Sequence, residues 1–112
     1  MTRQIALGKV TDLPAGRGIR VDSGEHRVAV FRIEDSIYAI GDRCSHAEAS
    51  LAEGEIFDLA VECPRHGSEF DLATGEPNSF PATRAVPVYS VVIVDEEAFL
   101  VIEDTEDGEV LT

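Results

Sequence analysis

Two short motifs in this sequence contain side chains that commonly bind metal ions. Cys44 and His46 form the first motif, and Cys63 and His66 form the second, so each supplies one thiol and one imidazole. A structural zinc finger usually groups its ligands as a cysteine pair followed by a histidine pair. The alternating order found here instead lets two cysteines converge on one metal ion and two histidines on another.

Such a ligand set is suited to a [2Fe–2S] cluster in which thiolates bind one iron and imidazoles bind the other. Because imidazoles are neutral, the cluster is less negative than with four thiolates, and its potential moves from about −400 mV toward roughly −150 to +300 mV. A zinc site formed by the same four side chains is the alternative, and it would make the chain a structural or interaction module. Cysteine–histidine nucleophilic catalysis is disfavoured, because it requires no second Cys–His pair.

The residues beside the second motif fit a loop that binds a metal cluster. Pro64 restricts the backbone directly after Cys63. Gly67, directly after His66, permits a close approach of the backbone, so that amide groups can point at cluster sulfurs. We therefore expect Pro64 and Gly67 to support the four ligands. His26 matches neither motif and is expected to be a surface residue.

The chain is strongly acidic, with 22 Asp and Glu against 9 Lys and Arg and a formal charge of −13. This excess disfavours nucleic acids and anionic membranes as partners. It suits attraction to a basic patch on a partner protein, although it could equally serve solubility alone. No apolar run approaches the roughly 20 residues that span a bilayer. The N-terminal segment lacks the features of a signal peptide, so we expect a soluble, cytoplasmic protein.

Apolar, β-branched and aromatic residues recur in short runs separated by turn residues, which is typical of an all-β sandwich or barrel. Residues 34–35 and 95–98 are expected to form the turns of two hairpins. Only 47–52 has helical character, and it is too short to be stable alone. The two cysteine–histidine motifs fall in loops. The predicted strands are 4–10, 19–21, 28–33, 36–40, 59–62, 69–71, 89–94 and 99–102.

The pattern Cys-x-His followed by Cys-Pro-x-His-Gly resembles the Rieske ferredoxins of bacterial oxygenase systems. The similarity continues through 70–77 and 81–89, which resemble the segment after the second ligand loop and a proline-bearing third loop. The resemblance implies one [2Fe–2S] cluster, with Cys44 and Cys63 on the inner iron and His46 and His66 on the outer iron. It also implies a single all-β domain over residues 1–112, with antiparallel sheets of the Rieske fold, a sandwich or barrel base, and a cluster-binding subdomain at about 41–82.

Rieske proteins of respiratory complexes differ from this chain at informative positions. They carry an extra cysteine in each ligand loop, joined as a disulfide, where this chain has Ala49 and Arg65. They also have a tyrosine hydroxyl directed at the cluster where this chain has Phe70, whereas Ser68 corresponds to their serine donor. Losing one of the two hydroxyl groups that donate hydrogen bonds to the cluster makes the cluster harder to reduce. We therefore expect a soluble ferredoxin with a low-to-middle potential within the family range.

By this resemblance the chain is an electron carrier that accepts one electron at a time from a flavin-containing reductase and passes it to a terminal oxygenase. It is expected to be a monomer, and it is not an enzyme by itself because it lacks a second set of iron ligands for oxygen chemistry. The small subunit of a nitrite reductase and a ferredoxin associated with iron–sulfur cluster assembly are alternative settings for a protein of this kind.

Overall fold

The computed structural model describes residues 2–44, 49–65, 67–78 and 84–103, and most of their regular structure is β-strand. Within these residues the helical elements are two short 3₁₀ helices, Val10–Asp12 and Leu51–Glu53. Neither is long and apolar enough to cross a membrane. The strands, in chain order, are β1 (Thr2–Lys9), β2 (Gly18–Ser23), β3 (His26–Ile33), β4 (Ser36–Gly41), β5 (Ile56–Phe57), β6 (Ala60–Glu62), β7 (Glu69–Asp71), β8 (Val88–Val94) and β9 (Glu97–Glu103).

The strands form two sheets. The larger sheet has six strands in the order β1-β9-β8-β4-β3-β2, and the smaller sheet has the order β5-β6-β7. Neighbouring strands pair antiparallel in both sheets. The structure therefore confirms the predicted all-β fold class with antiparallel sheets.

The smaller sheet belongs to a long excursion of the chain between β4 and β8. These two strands are neighbours in the larger sheet, with Ala39 opposite Tyr89. The amide of Gly41 donates a 2.8 Å hydrogen bond to the carbonyl of Pro87, so the excursion leaves and rejoins the sheet at one place. Both cysteine–histidine motifs lie in this excursion, and the larger sheet is its base.

Side chains of β3 alternate between two apolar cores, as expected for a strand covered on both faces. Val28 and Val30 lie in a base core that also contains Leu100 of β9. Ala29 and Phe31 lie on the opposite face, in a second core that is shared with the excursion. All four residues are buried, which accounts for the continuous apolar run that the sequence shows here.

Gly18 lets the excursion approach the larger sheet closely. A Cβ atom at this position would lie 2.6 Å from the ring of Phe31 and 2.9 Å from the carbonyl oxygen of Ala52. Any larger residue would separate β2 from the 3₁₀ helix that follows the first cysteine–histidine motif. The absence of a side chain at position 18 therefore helps to place that motif against the sheet.

Two of the predicted element boundaries need correction. The turn of the last hairpin is shorter than 95–98, because only Asp95 and Glu96 have positive φ angles, of 52° and 71°. Glu97 already belongs to β9, since Ala98 is fully buried in the core. At the other end of the chain, Val10 leaves β1 and begins a 3₁₀ helix. The turn at 34–35 between β3 and β4 is confirmed.

The excursion contains one strand that the sequence analysis missed, and a helix in a different place. β5 has only two residues, too few for a period-2 pattern to be visible. Of the segment 47–52, residues 47 and 48 lie outside the described part of the chain. The structure places a 3₁₀ helix at Leu51–Glu53, which overlaps the expected segment at its C-terminal end only.

The turn between β8 and β9 offers a test of the hairpin geometry. Glu96 has a φ of 71°, a left-handed conformation that costs a non-glycine residue about 1–2 kcal/mol. The substitution Glu96→Gly should therefore raise the melting temperature by roughly 4 °C or more. Thermal unfolding followed by circular dichroism measures the change.

The matched control is Glu97→Gly, one residue further along and inside β9. Glycine is unfavourable in an extended strand, so this variant should melt below the wild type. Equal melting temperatures for the two variants would contradict the left-handed turn.

Candidate metal centre

Both cysteines of the chain lie at the ends of strands and point into the same apolar core. Cys44 follows β4 after two residues, and Cys63 directly follows β6. Their exposed fractions are 3% and 1%, and both are free thiols. They share this core with Leu51, Val61, Phe70, Leu72 and Val86, among others. The structure thus brings together two side chains that are 19 positions apart in sequence.

The two cysteines begin loops that are closed in the same way. The amide of Cys44 donates to the carbonyl of Ala49 at 3.0 Å, and the amide of Cys63 donates to the carbonyl of Ser68 at 2.7 Å. In each loop the acceptor stands five residues after the cysteine, and in sequence the predicted histidine ligand stands between them. His46 and His66 themselves lie outside the described residues.

The second loop has the tighter backbone. Besides the bond to Ser68, the carbonyl of Cys63 accepts a 2.9 Å hydrogen bond from the amide of Gly67. Gly67 has a φ of +77°, which is the left-handed region that favours glycine. Pro64 is exposed at the start of the loop, and Ser68 is fully buried at its end. Glycine at position 67 is therefore required by the turn itself.

The first loop is held by an aspartate that the sequence analysis did not single out. Asp42 is fully buried, and its Oδ1 accepts hydrogen bonds from the hydroxyl of Ser50 at 2.7 Å and from the amide of Ala52 at 2.9 Å. Its carbonyl accepts a third bond from the amide of Leu51 at 2.6 Å. The sequence signal that could have indicated this role is an aspartate directly after an apolar strand and two residues before Cys44, a predicted ligand.

A cleft beside the two loops concentrates basic side chains in an otherwise acidic protein. Its volume is about 560 Å³, and it lies between β2, β3 and the two loops. Within it, Arg20 makes two hydrogen bonds to Asp22, of 2.9 and 3.1 Å. These bonds lower the pKa of the Asp22 carboxyl below its ordinary value. The residues that line the cleft are Arg20, Arg27, Ala49, Ser50, Glu53, Pro64 and Arg65.

His26 is not the simple surface residue that its sequence context suggested. It is partly buried, and its Nδ1 lies 3.1 Å from the hydroxyl of Tyr89, with the two rings edge to face. Burial raises the pKa of the Tyr89 hydroxyl. His26 is two residues before Val28 in β3, so both side chains lie on the same face of the strand. His26 therefore faces the base core rather than the excursion.

The chemistry of these groups fits an iron–sulfur cluster. Two free thiols in one apolar core cannot both ionise there without a cation, because a buried charge needs a partner. Thiolates bound to iron meet that requirement, and the apolar surroundings keep water from the metal. Gly67 has no side chain, so the left-handed turn lets the backbone of the second loop approach a bound group closely. The two thiols and their apolar surroundings therefore fit a [2Fe–2S] cluster.

A comparison with protein families gives the decisive observation. Residues 3–90 match the family model described as the Rieske [2Fe-2S] domain, which is most of the chain. The chain belongs to this family. It is a Rieske protein with one [2Fe–2S] cluster, as its sequence motifs predict.

Known proteins with the same fold agree with this assignment. The ferredoxin subunit of anthranilate 1,2-dioxygenase from Burkholderia cepacia is 45% identical over 84 residues, which cover 75% of this chain and 74% of that protein. A solved complex of reduced oxygenase and oxidized ferredoxin in carbazole 1,9a-dioxygenase contains a chain that matches with a TM-score of 0.82 and 35% identity. That match covers 87% of this chain and 91% of the other.

A second group of structures shares the fold at lower identity. A protein from Mycobacterium tuberculosis, assigned as the small subunit of an NADH-dependent nitrite reductase, matches with a TM-score of 0.82 over 93% of this chain and 98% of its own. Its identity of 23% shows a common fold only. The ferredoxin relatives, named as subunits of dioxygenases, identify this Rieske protein as an electron-transfer component rather than an enzyme by itself.

The geometry of the second loop leads to a test at Gly67. The substitution Gly67→Ala forces a side chain into a left-handed turn, at a cost of about 1–2 kcal/mol. A Cβ atom here would also lie 3.3 Å from Oε2 of Glu62. We expect the variant to lose iron to a chelator about fivefold faster than the wild type, as measured by the decay of the visible absorbance.

Gly24→Ala is the matched control, since Gly24 has a φ of +59° and no atom lies within 4 Å of its virtual Cβ. It carries the same backbone penalty in the turn between β2 and β3, far along the chain from both loops. Loss of iron at the same rate in both variants would show that general destabilisation, and not the loop, is responsible.

Proposed function

We propose that this Rieske protein carries one electron at a time from a flavin-containing reductase to the terminal oxygenase of a ring-hydroxylating dioxygenase system. The observation that supports this proposal most directly is the near full-length match to a ferredoxin chain that was solved in complex with its oxygenase. The relative from Burkholderia cepacia, named as a dioxygenase ferredoxin subunit, supports the same setting.

We further propose that Cys44 and Cys63 bind the inner iron and that His46 and His66 bind the outer iron. Burial of both thiols in one core and the matching closure of the two loops support this assignment. Pro64, Gly67 and Ser68 then shape the second loop around its ligands. When bound, the cluster supplies a centre that takes up and releases a single electron.

In this proposal the protein residues have three tasks. The apolar side chains around Cys44 and Cys63, such as Phe70, exclude water from the sulfur ligands. The two histidines connect the outer iron to the surface at which a partner docks. Ser68, buried at the end of the second loop, is the proposed hydroxyl donor to a cluster sulfur.

We also propose that residues 1–112 form one domain, in which about 41–82 is the cluster-binding subdomain. In this proposal the protein is a monomer in the cytoplasm. Its charge of −13 supports a partner with a basic docking surface, and disfavours nucleic acid or an anionic membrane. The excursion between β4 and β8 supports the subdomain, because it leaves and rejoins the base at one place, where the Gly41 amide donates to the Pro87 carbonyl.

Metal analysis of the purified protein tests the ligand assignment. The proposal expects a red-brown protein with about two irons and two acid-labile sulfides per chain. Replacing the proposed ligand in His66→Cys should keep a cluster but lower its potential, because a thiolate adds negative charge. A colourless protein with bound zinc, unchanged by dithionite, would instead establish a structural zinc module.

Electron-transfer kinetics test the partner. The reduced protein should transfer its electron to an oxidised terminal oxygenase at least about tenfold faster than to the catalytic subunit of a nitrite reductase, and added salt should slow the reaction. Stopped-flow absorbance measures both rates. Faster transfer to the nitrite reductase would move the protein to that system, whose small subunit shares the fold. Transfer to neither would favour a role in cluster assembly.

A further inference from the structure

Asp42 is an unusual residue for its position in the structure. It has no exposed surface, and among the described residues it is the one charged side chain that is buried to this degree. It stands two residues before Cys44, on the face of the sheet that carries the excursion. Burying a carboxylate costs several kcal/mol unless hydrogen bonds and opposite charges compensate for the lost hydration.

The hydrogen bonds of Asp42 all lead to the far end of the first ligand loop. Oδ1 accepts from the Ser50 hydroxyl and the Ala52 amide, and the main-chain carbonyl accepts from Leu51. The bond between Cys44 and Ala49 closes the loop from within. Asp42 closes it a second time from outside, so the two ends of the loop cannot separate without breaking these bonds.

The charge of Asp42 is only partly compensated by Arg20, the arginine whose guanidinium lies beside its carboxylate. Oδ2 accepts no hydrogen bond from the described residues, and the closest guanidinium nitrogen, Nε of Arg20, is 3.8 Å away. Arg20 is instead held by Asp22 at 2.9 Å. Arg27 adjoins Asp42 in the sheet, where its carbonyl accepts the Asp42 amide, but its buried Nε has no hydrogen-bond partner among the described residues.

We propose that Asp42 is a positioning residue for the cluster: it holds the first ligand loop closed and places a fixed negative charge behind Cys44 that lowers the reduction potential. This inference rests on the proposed role of Cys44 as an iron ligand. A negative charge close to the cluster opposes the addition of an electron, and water screens this fully buried carboxylate little. Arg20, 3.8 Å from the carboxylate, attenuates this effect and does not remove it.

The two parts of the proposal can be separated by substitution. Asp42→Asn keeps an oxygen that can accept from Ser50 and Ala52 but removes the charge. Its midpoint potential should rise, with the affinity for the electron increasing about tenfold, which is about 59 mV for a one-electron couple. Arg20→Gln removes the positive charge closest to Oδ2 and should shift the potential in the opposite direction.

Ser50→Ala changes no charge and removes one of the bonds that close the loop. Its potential should equal that of the wild type, while a chelator should remove its iron several-fold faster. Asp35→Asn is the charge control, because Asp35 is exposed in the turn at the opposite end of β4. Its potential should not change. All potentials are measured by spectroelectrochemical titration of the purified holoproteins.

The outcomes distinguish this inference from the proposed function. If the wild type contains two irons and two sulfides but Asp42→Asn shifts the potential no more than Asp35→Asn, the role of the charge is wrong. An upward shift of the potential in Arg20→Gln would also overturn it, even if Asp42→Asn itself failed to fold. Absence of an iron–sulfur cluster from the wild type would refute the ligand assignment instead.

Discussion

The core that contains Cys44 and Cys63 requires both sheets, because neither sheet can bury these residues alone. Ala29, Phe31 and Ile40 supply it from the larger sheet, and Val61 and Phe70 supply it from the smaller one. Each sheet has an apolar face that must be covered to be stable. Covering these faces brings β4 and β6 together at the ends where the two cysteines stand. The hydrophobic effect that folds the domain therefore also brings together the two thiols that we propose as iron ligands.

Charge is distributed in this protein in two opposite ways. The surface carries a large excess of carboxylates, which suits a carrier that must stay soluble and find a basic partner. Behind the first loop, the described part of the chain has one buried aspartate, Asp42, whose carboxylate lies 3.8 Å from the guanidinium of Arg20. Surface charges are screened by water and salt, whereas a buried charge is screened much less. The two proposed roles, partner recognition and tuning of the potential, therefore fall to different carboxylates.

Much of the fold could be predicted from the sequence, since strands produce a period-2 pattern and turns use few residue types. The predicted hairpin with its turn at residues 34–35 is confirmed for that reason. The two-residue strand β5 left no pattern, and the burial of Ala98 extended β9 into the expected turn. His26 was misread because its partner Tyr89 is 63 positions away. Local sequence carries no information about a contact between strands that meet only after folding.

The sequence by itself predicted the kind of metal centre, because the chemistry of cysteine and histidine side chains and their order in each motif do not depend on distant residues. It also determined the family, through motifs such as Pro64 and Gly67 that serve one loop. Only the tertiary structure decided that the two thiols share one core and that Asp42 closes the first loop. These features arise from strand register and from the packing of one sheet on another. Arg20 and Asp42 come within 3.8 Å of each other only when β2 and the loop after β4 are brought together.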